Sequence, residues 1–270
     1  TTGLRIYERL EKFEGIELIS LSDEKRKDRE SRKEALNSAD IAFLCLPDDA
    51  ARESVSLIEN ENTVVIDTST AHRTLDDWAY GFPELSANHE QKIKNSKRIA
   101  VPGCHASGFI SLIYPLVEKG IISKDILLSC FSLTGYSGGG KKMIAAYEDE
   151  KRDPLLDAPR QYGVTQAHKH LPEMGAVTGL TVSPAFCPIV ADFYSGMEVT
   201  VPVFAKDLRG TVADIRAAYA DTYQKGLVHY NAEMGEGGFL SAAAFAGRDD
   251  MEIGVLGNED EDVLELGVVG

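Results

Sequence analysis

Through its first hundred residues the chain alternates helical apolar patterns with short apolar runs, and this restricts the fold more than any other feature. Leu4, Ile6, Tyr7, Leu10 and Phe13 mark the face of a short helix, and residues 16–21 read as an apolar strand. Residues 41–46 form a second run, followed by Pro47-Asp48-Asp49 and a helix over 50–58. A third, 64–67, ends in Thr68-Ser69-Thr70-Ala71-His72-Arg73, and a fourth, 99–101, meets Pro102-Gly103. Short strands separated by helices pair in parallel, so a Rossmann-like doubly wound sheet of α/β class is expected. Such sheets bind ligands beyond the carboxyl ends of their strands, here residues 21–22, 46–47, 67–68 and 101–104, expected along one rim.

Beyond residue 120 the texture changes. Candidate strands at 127–133, 181–186, 193–204, 252–256 and 263–269, with a helix at 211–223, point to an α+β domain on a mixed or antiparallel sheet. Asn258 to Asp262 read as a solvated acidic turn. Two domains are expected, 1–104 and 105–270. Both ends read as cut, with the first strand of the parallel sheet expected to be missing before Gly3. A net charge of −15 argues against a nonspecific nucleic-acid surface. No apolar run approaches the ~20 residues of a membrane span. Cys45, Cys104, Cys130 and Cys187 are scattered without metal-ligand spacing, as in a reducing, cytoplasmic compartment.

Cys104 stands apart from the other three. Pro102 and Gly103 end a strand before it, and Phe109, Leu112, Ile113, Leu116 and Val117 follow with helical spacing. A thiol at a helix start feels the positive end of the dipole and unpaired N–H groups, both of which favour the nucleophilic thiolate. A small buried core cysteine is the competing reading.

Three further stretches carry chemistry. Tyr136-Ser137-Gly138-Gly139-Gly140-Lys141-Lys142 reads as an anion loop in which glycines admit close backbone approach and lysines supply charge. His168-Lys169-His170-Leu171-Pro172-Glu173, if extended, sets both histidines on one face for acid/base work, with Glu173 to fix a ring. Zinc is rejected for want of a third ligand. Lys25, Arg26, Lys27, Arg29, Arg32 and Lys33 follow the 16–21 run, which is the second strand if the first is missing, and there cations meet the 2′-phosphate of NADP, although a solvated helix face gives the same pattern. Gly3 fits the last glycine of a phosphate loop or a plain helix start.

Taken together, Thr1-Thr2-Gly3-Leu4, residues 43–51, 66–73 and 80–85, Pro102-Gly103-Cys104, residues 136–141, residues 168–173 and Phe193-Tyr194-Ser195-Gly196-Met197 resemble, in family order, the shorter type of N-acetyl-gamma-glutamyl-phosphate reductase in the semialdehyde dehydrogenase superfamily. The resemblance implies NADPH-dependent reduction of an acyl phosphate to N-acetylglutamate 5-semialdehyde in arginine biosynthesis, through a thioester on Cys104. His168 or His170 would be the acid/base beside Glu173. Ser137, Gly138 and Lys141 would hold the phosphate or oxyanion, and Arg73 and Lys169 the substrate carboxylate. Thr2, Gly3, Ser22, Arg26, Leu46, Pro47 and Ser69 would line NADP(H). Expected partners are the small acyl phosphate, phosphate and further copies in a dimer or tetramer, without nucleic acid, membrane or metal. The chain departs from the family in lacking most of the glycine loop and the C-terminal Asn-Leu-Gly-Lys-Gly segment, and in carrying His72 and His105. An aminoadipyl-phosphate reductase, an aspartate-semialdehyde dehydrogenase, a cysteine hydrolase and a noncatalytic NADP-binding regulator remain as alternatives.

Overall fold

The computed structural model describes residues 2–257 and 263–270, with the backbone alone at Thr2 and Leu4. The expected acidic turn at 258–262 and the threonine at position 1 lie outside the described residues. The chain divides into two compact units, Thr1–Phe82 with Asn88–Gly103, and Pro83–Ala87 with Cys104–Gly270.

The first unit holds α1 (Thr2–Leu10), α2 (Arg29–Ser38), β1 (Ile41–Leu44), α3 (Asp48–Ser56), β2 (Val64–Asp67), β3 (Ala79–Tyr80), most of α4 (Ala87–Asn95) and β4 (Arg98–Ala100). All four strands are parallel in the order β1-β2-β4-β3, with Ile41 opposite Val64 and Val65 opposite Arg98. Leu44, Val65, Trp78 and Ala100 form its core, closed by Leu36, Val55 and Ile58. Asp28 caps α2 by accepting the Ser31 N–H at 2.7 Å.

One expected strand is absent from this sheet. Residues 16–22 have no ladder partners among the described residues, and Ile16 and Ile19 stand half exposed. Their apolar pattern suits a strand, but a strand also needs a neighbour for its N–H and C=O groups. Among the described residues β1 pairs only with β2.

The second unit is built on a seven-stranded mixed sheet, β6-β7-β5-β8-β11-β10-β9. In chain order its elements are α5 (Cys104–Glu118), β5 (Ser129–Gly135), α6 (Lys141–Glu148), β6 (Arg160–Gln161), α7 (Leu171–Thr178), β7 (Ala185–Ala191), β8 (Met197–Phe204), α8 (Val212–Thr222), β9 (Val228–Tyr230), β10 (Met251–Gly257) and β11 (Val263–Val269). Two expected strands begin later than their apolar runs. The run expected at 181–186 starts at Ala185, because Thr181 and Ala185 first bond back to Lys124 and Leu128. The run expected from 193 starts at Met197, because the carbonyls of Phe193 and Tyr194 accept the N–H groups of Tyr136 and Ser137. β6 and β9, too short to leave an apolar pattern, were not expected.

Helix α5 is the core of this unit. Phe109, Ile110, Leu112, Ile113 and Leu116 are fully buried. Gly108 lets the helix lie directly on the sheet: a Cβ there would meet Val199 Cγ2 at 2.6 Å and Val268 Cγ1 at 3.2 Å. Pro115 sits inside the helix and removes the N–H that Ser111 C=O would accept. The Tyr223 hydroxyl donates to that carbonyl at 2.6 Å, and the Tyr219 hydroxyl donates to Leu112 C=O at 2.8 Å. The opposite sheet face presents Phe131, Phe204 and Val263, each more than a third exposed.

Tyr223→Phe leaves the Ser111 carbonyl buried without this donor and should cost about 1–3 kcal/mol in denaturant unfolding, with the fold retained.

Candidate active site

Cys104 is the first residue of α5 and is exposed, while His105 beside it is buried. The His105 ring is held at both nitrogens: Nδ1 lies 2.7 Å from Ser132 Oγ and Nε2 lies 2.6 Å from the Tyr162 hydroxyl. Burial, and then the charge of His168, lower its pKa to about 3, so it is neutral across the physiological range. The His168 ring meets His105 edge-on at 5.8 Å and His170 at 4.8 Å, and Phe186 packs against both His105 and His168. Burial and Lys169 also lower the His168 pKa. The Tyr162 phenol is pushed up, by burial first and then by the Cys104 thiolate.

The histidine stretch is a turn, not the expected extended segment. His170 adopts helical backbone angles, its N–H donates to His168 Nδ1 at 3.2 Å, and α7 begins at Leu171 with Pro172 in its first turn. The two rings are nevertheless neighbours, brought together by the turn. Glu173 lies buried in the first turn of α7, and Lys169 is exposed.

The glycine-lysine loop is a short 3-10 turn, Tyr136–Gly139, running into α6. The N–H groups of Ser137 and Gly140 are already donated, to Tyr194 and Ser137 carbonyls at 2.9 and 3.0 Å. Ser137 therefore has its hydroxyl to offer a ligand, not its amide. Lys141 and Lys142 occupy the first turn of α6, where no acidic residue offsets the helix dipole. Gly138 and Lys141 are exposed.

In the first unit the ends of β1 and β2 carry the remaining candidates. A Cβ on Gly3 would stand 3.1 Å from Cys45 Cβ, so α1 packs against the end of β1 as the last glycine of a phosphate loop requires. Leu46 and Pro47 are exposed before α3, and the Thr2 side chain is outside the description. Ser69 is buried, its hydroxyl donating to Asp67 Oδ2 at 2.6 Å beside His72 Nδ1, also 2.6 Å from that oxygen. Arg73 is buried too, and its guanidinium donates to the carbonyls of Val101 and Thr68, both at 2.9 Å. Those donors brace strand ends. Of the basic cluster, Arg32 pairs with Glu53 and Lys33 with Glu59, while Arg26 pairs with Asp23 on the turn after Ser22.

The sequence reading left Ser132 and Tyr162 unmarked and noted His105 only as a departure from the family. Ser132 follows the inward alternation of β5, and His105 adjoins the thiol, so each left a faint signal. Tyr162 left none.

Two family models match in chain order: "Semialdehyde dehydrogenase, NAD binding domain" over residues 2–94 and "Semialdehyde dehydrogenase, dimerisation domain" over residues 104–269. The aspartate semialdehyde dehydrogenase of Francisella tularensis superposes with a TM-score of 0.67 at 13% identity, covering 100% of this chain and 90% of that one, a likeness of fold. An N-acetyl-gamma-glutamyl-phosphate reductase of a Nostoc species is 38% identical over 272 residues, 96% of this chain and 84% of the relative. The protein of that name from a Chelativorans species is 47% identical over 225 residues, 83% of this chain and 72% of the relative. Fold and domain order thus define an oxidoreductase of the semialdehyde dehydrogenase family with an NAD(P)-binding unit. Within it, the chain belongs to the N-acetyl-gamma-glutamyl-phosphate reductases.

The unfolded chain binds a proton on His105 near pH 6.5, well above the folded pKa of about 3, so stability should fall as pH drops through that window. NMR titration should find this ring neutral from pH 8 to about 5. His105→Gln should lose less of its own neutral-pH stability on acidification.

Proposed function

We propose that the chain reduces N-acetyl-gamma-glutamyl phosphate to N-acetylglutamate 5-semialdehyde with release of phosphate, using NADPH, as a cytoplasmic step of arginine biosynthesis. The observation that carries this reading is an exposed thiol at the start of a buried helix, in the same unit as the packed rings of His168 and His170.

His168 or His170 takes the thiol proton; the lowered pKa of His168 suits it to act as a base at neutral pH. The Cys104 sulfur attacks the acyl carbon, the C–O bond to phosphate breaks with its electron pair leaving on phosphate, and a thioester remains. NADPH held in the first unit would supply the hydride for this carbonyl. The resulting tetrahedral alkoxide is held by the protonated histidine, and cleavage of the C–S bond releases the aldehyde and restores the thiolate. Glu173 orients the histidine pair. The Ser137 hydroxyl, Gly138 and Lys141 hold the phosphate, and Lys169 takes the substrate carboxylate with Arg73 bracing the strand ends.

The close approach at Gly3 fits a dinucleotide cradle. Thr2, Gly3, Ser22, Leu46, Pro47 and Ser69 line it, and Arg26 with Lys25 and Lys27 meets the 2′-phosphate that separates NADP from NAD. The first unit serves the cofactor, and the second, which begins its main segment at Cys104, serves the substrate. A second copy covers the sheet face bearing Phe131, Phe204 and Val263, giving a dimer or a tetramer built from it.

The test uses the full-length protein with N-acetylglutamate 5-semialdehyde, NADP and phosphate, following nicotinamide absorbance. Phosphate-dependent reduction of NADP that disappears in Cys104→Ser is expected; activity without phosphate or without the thiol would refute the mechanism. In the same assay, Arg26→Ala combined with Lys25→Ala should raise KM for NADP roughly tenfold while leaving that for NAD nearly unchanged.

A further inference from the structure

We propose that Gln166 is a positioning residue for the histidine pair, its side-chain amide clamping the turn that leads into His168 to the backbone of Phe186. The inference rests on the reading of His168 or His170 as the acid/base, and gives Gln166 a role exerted through their neighbour Phe186.

Among the described residues Gln166 is the one non-glycine with a positive φ, at +55°. There the Cβ of an L-residue crowds the following carbonyl oxygen, and glycine or asparagine is the ordinary occupant. Such a conformation persists only where its surroundings fix it. The Gln166 N–H donates to the Gly163 carbonyl at 3.0 Å, closing a turn. Its side chain then meets Phe186 twice: Nε2 donates to the Phe186 carbonyl at 2.8 Å, and Oε1 accepts the Phe186 N–H at 2.9 Å. The amide stands where a strand would. β6 pairs with β7 through Arg160 and Gln161, and the Tyr162 N–H donates to the Pro188 carbonyl at 3.0 Å, after which β6 ends. Phe186, two residues back along β7, presents its N–H and C=O on the same edge. Phe186 is 1% exposed, so those groups need partners. A planar carboxamide, with a donor and an acceptor side by side, supplies both.

What the clamp holds is the wall of the histidine cluster. The Phe186 ring meets His168 edge-on at 5.1 Å and His105 at 5.4 Å. His168 in turn packs against the His170 ring at 4.8 Å and accepts the His170 N–H on Nδ1 at 3.2 Å. Gln166 lies two residues before His168, so one side chain ties the histidine turn to the strand residue that packs on it. The other titratable or charged groups around His168 are His105, Tyr162 and Lys169. A glycine at position 166 would relax the backbone and lose both bonds, so strain and clamp are separable by substitution.

The test compares variants of the full-length protein by steady-state kinetics with N-acetylglutamate 5-semialdehyde, NADP and phosphate, and by NMR titration of the His168 ring. Gln166→Gly should lower kcat about tenfold with little change in KM, because a displaced acid/base slows chemistry more than binding. The His168 midpoint should rise toward the ordinary histidine value as the Phe186 ring withdraws and water enters. Gln166→Asn keeps the amide and tolerates the positive φ but is one methylene short, and should behave like the glycine variant. Gln166→Glu sets a carboxylate oxygen against the Phe186 carbonyl and should act in the same direction, so the test survives if one variant fails to fold. A folded Gln166→Gly protein with unaltered kcat and an unmoved His168 midpoint overturns the proposal. If the wild-type protein has no acyl-phosphate reductase activity, a midpoint that still moves supports the clamp and removes the substrate reading. Reductase activity with kcat and midpoint both unmoved does the reverse.

Discussion

The seating of α5 against its sheet is the contact on which the rest of the second unit depends. Gly108 removes the one Cβ that would hold the helix off Val199 and Val268, and a run of fully buried apolar side chains follows immediately. Interiors packed this closely tolerate little displacement. The helix start is therefore fixed, and with it the sulfur of Cys104 and the ring of His105. The proline within the same helix would have weakened it, were the Ser111 carbonyl that it strips of a partner not taken by the Tyr223 hydroxyl from α8.

From that fixed start, chemistry divides between two adjacent residues by their direction of exposure. Successive helical side chains point about 100° apart, so Cys104 reaches the surface while His105 enters the interior. One becomes available to a ligand; the other becomes a neutral, doubly bonded support. The same sorting applies to the three clustered histidines. Burial takes His105 out of acid/base work, while His168, partly buried beside Lys169, has its pKa lowered by burial first and then by that charge.

The two units do different kinds of work with the same economy. In the first, short parallel strands end in a run of polar residues whose side chains largely bond to one another: Ser69 and His72 to Asp67, Thr70 to Asp48, Arg73 to main-chain carbonyls. Such a rim is rigid, and the exposed Leu46 and Pro47 sit on it beside the start of α3. In the second, a mixed sheet carries helices on one face and leaves apolar side chains on the other.

Much of this was legible in the amino-acid sequence because it is written locally. Alternation of short apolar runs with helical patterns specified a parallel sheet, the Pro-Gly-Cys junction placed the thiol at a helix start, and motif order named the family. What local pattern could not supply was pairing. Residues 16–21 look like a strand but have no ladder partner among the described residues, and the histidine stretch reads as extended yet folds as a turn, because Leu171 begins a helix. Nor could it supply contacts between distant segments. Ser132, His105 and Tyr162 come from three separated stretches, and only the packing of α5 on β5, with the segment after β6 laid against β7, brings them within hydrogen-bond distance. Residue type and local order thus determined which groups were available for chemistry. Burial decided which of them keep their protons and which are held in place.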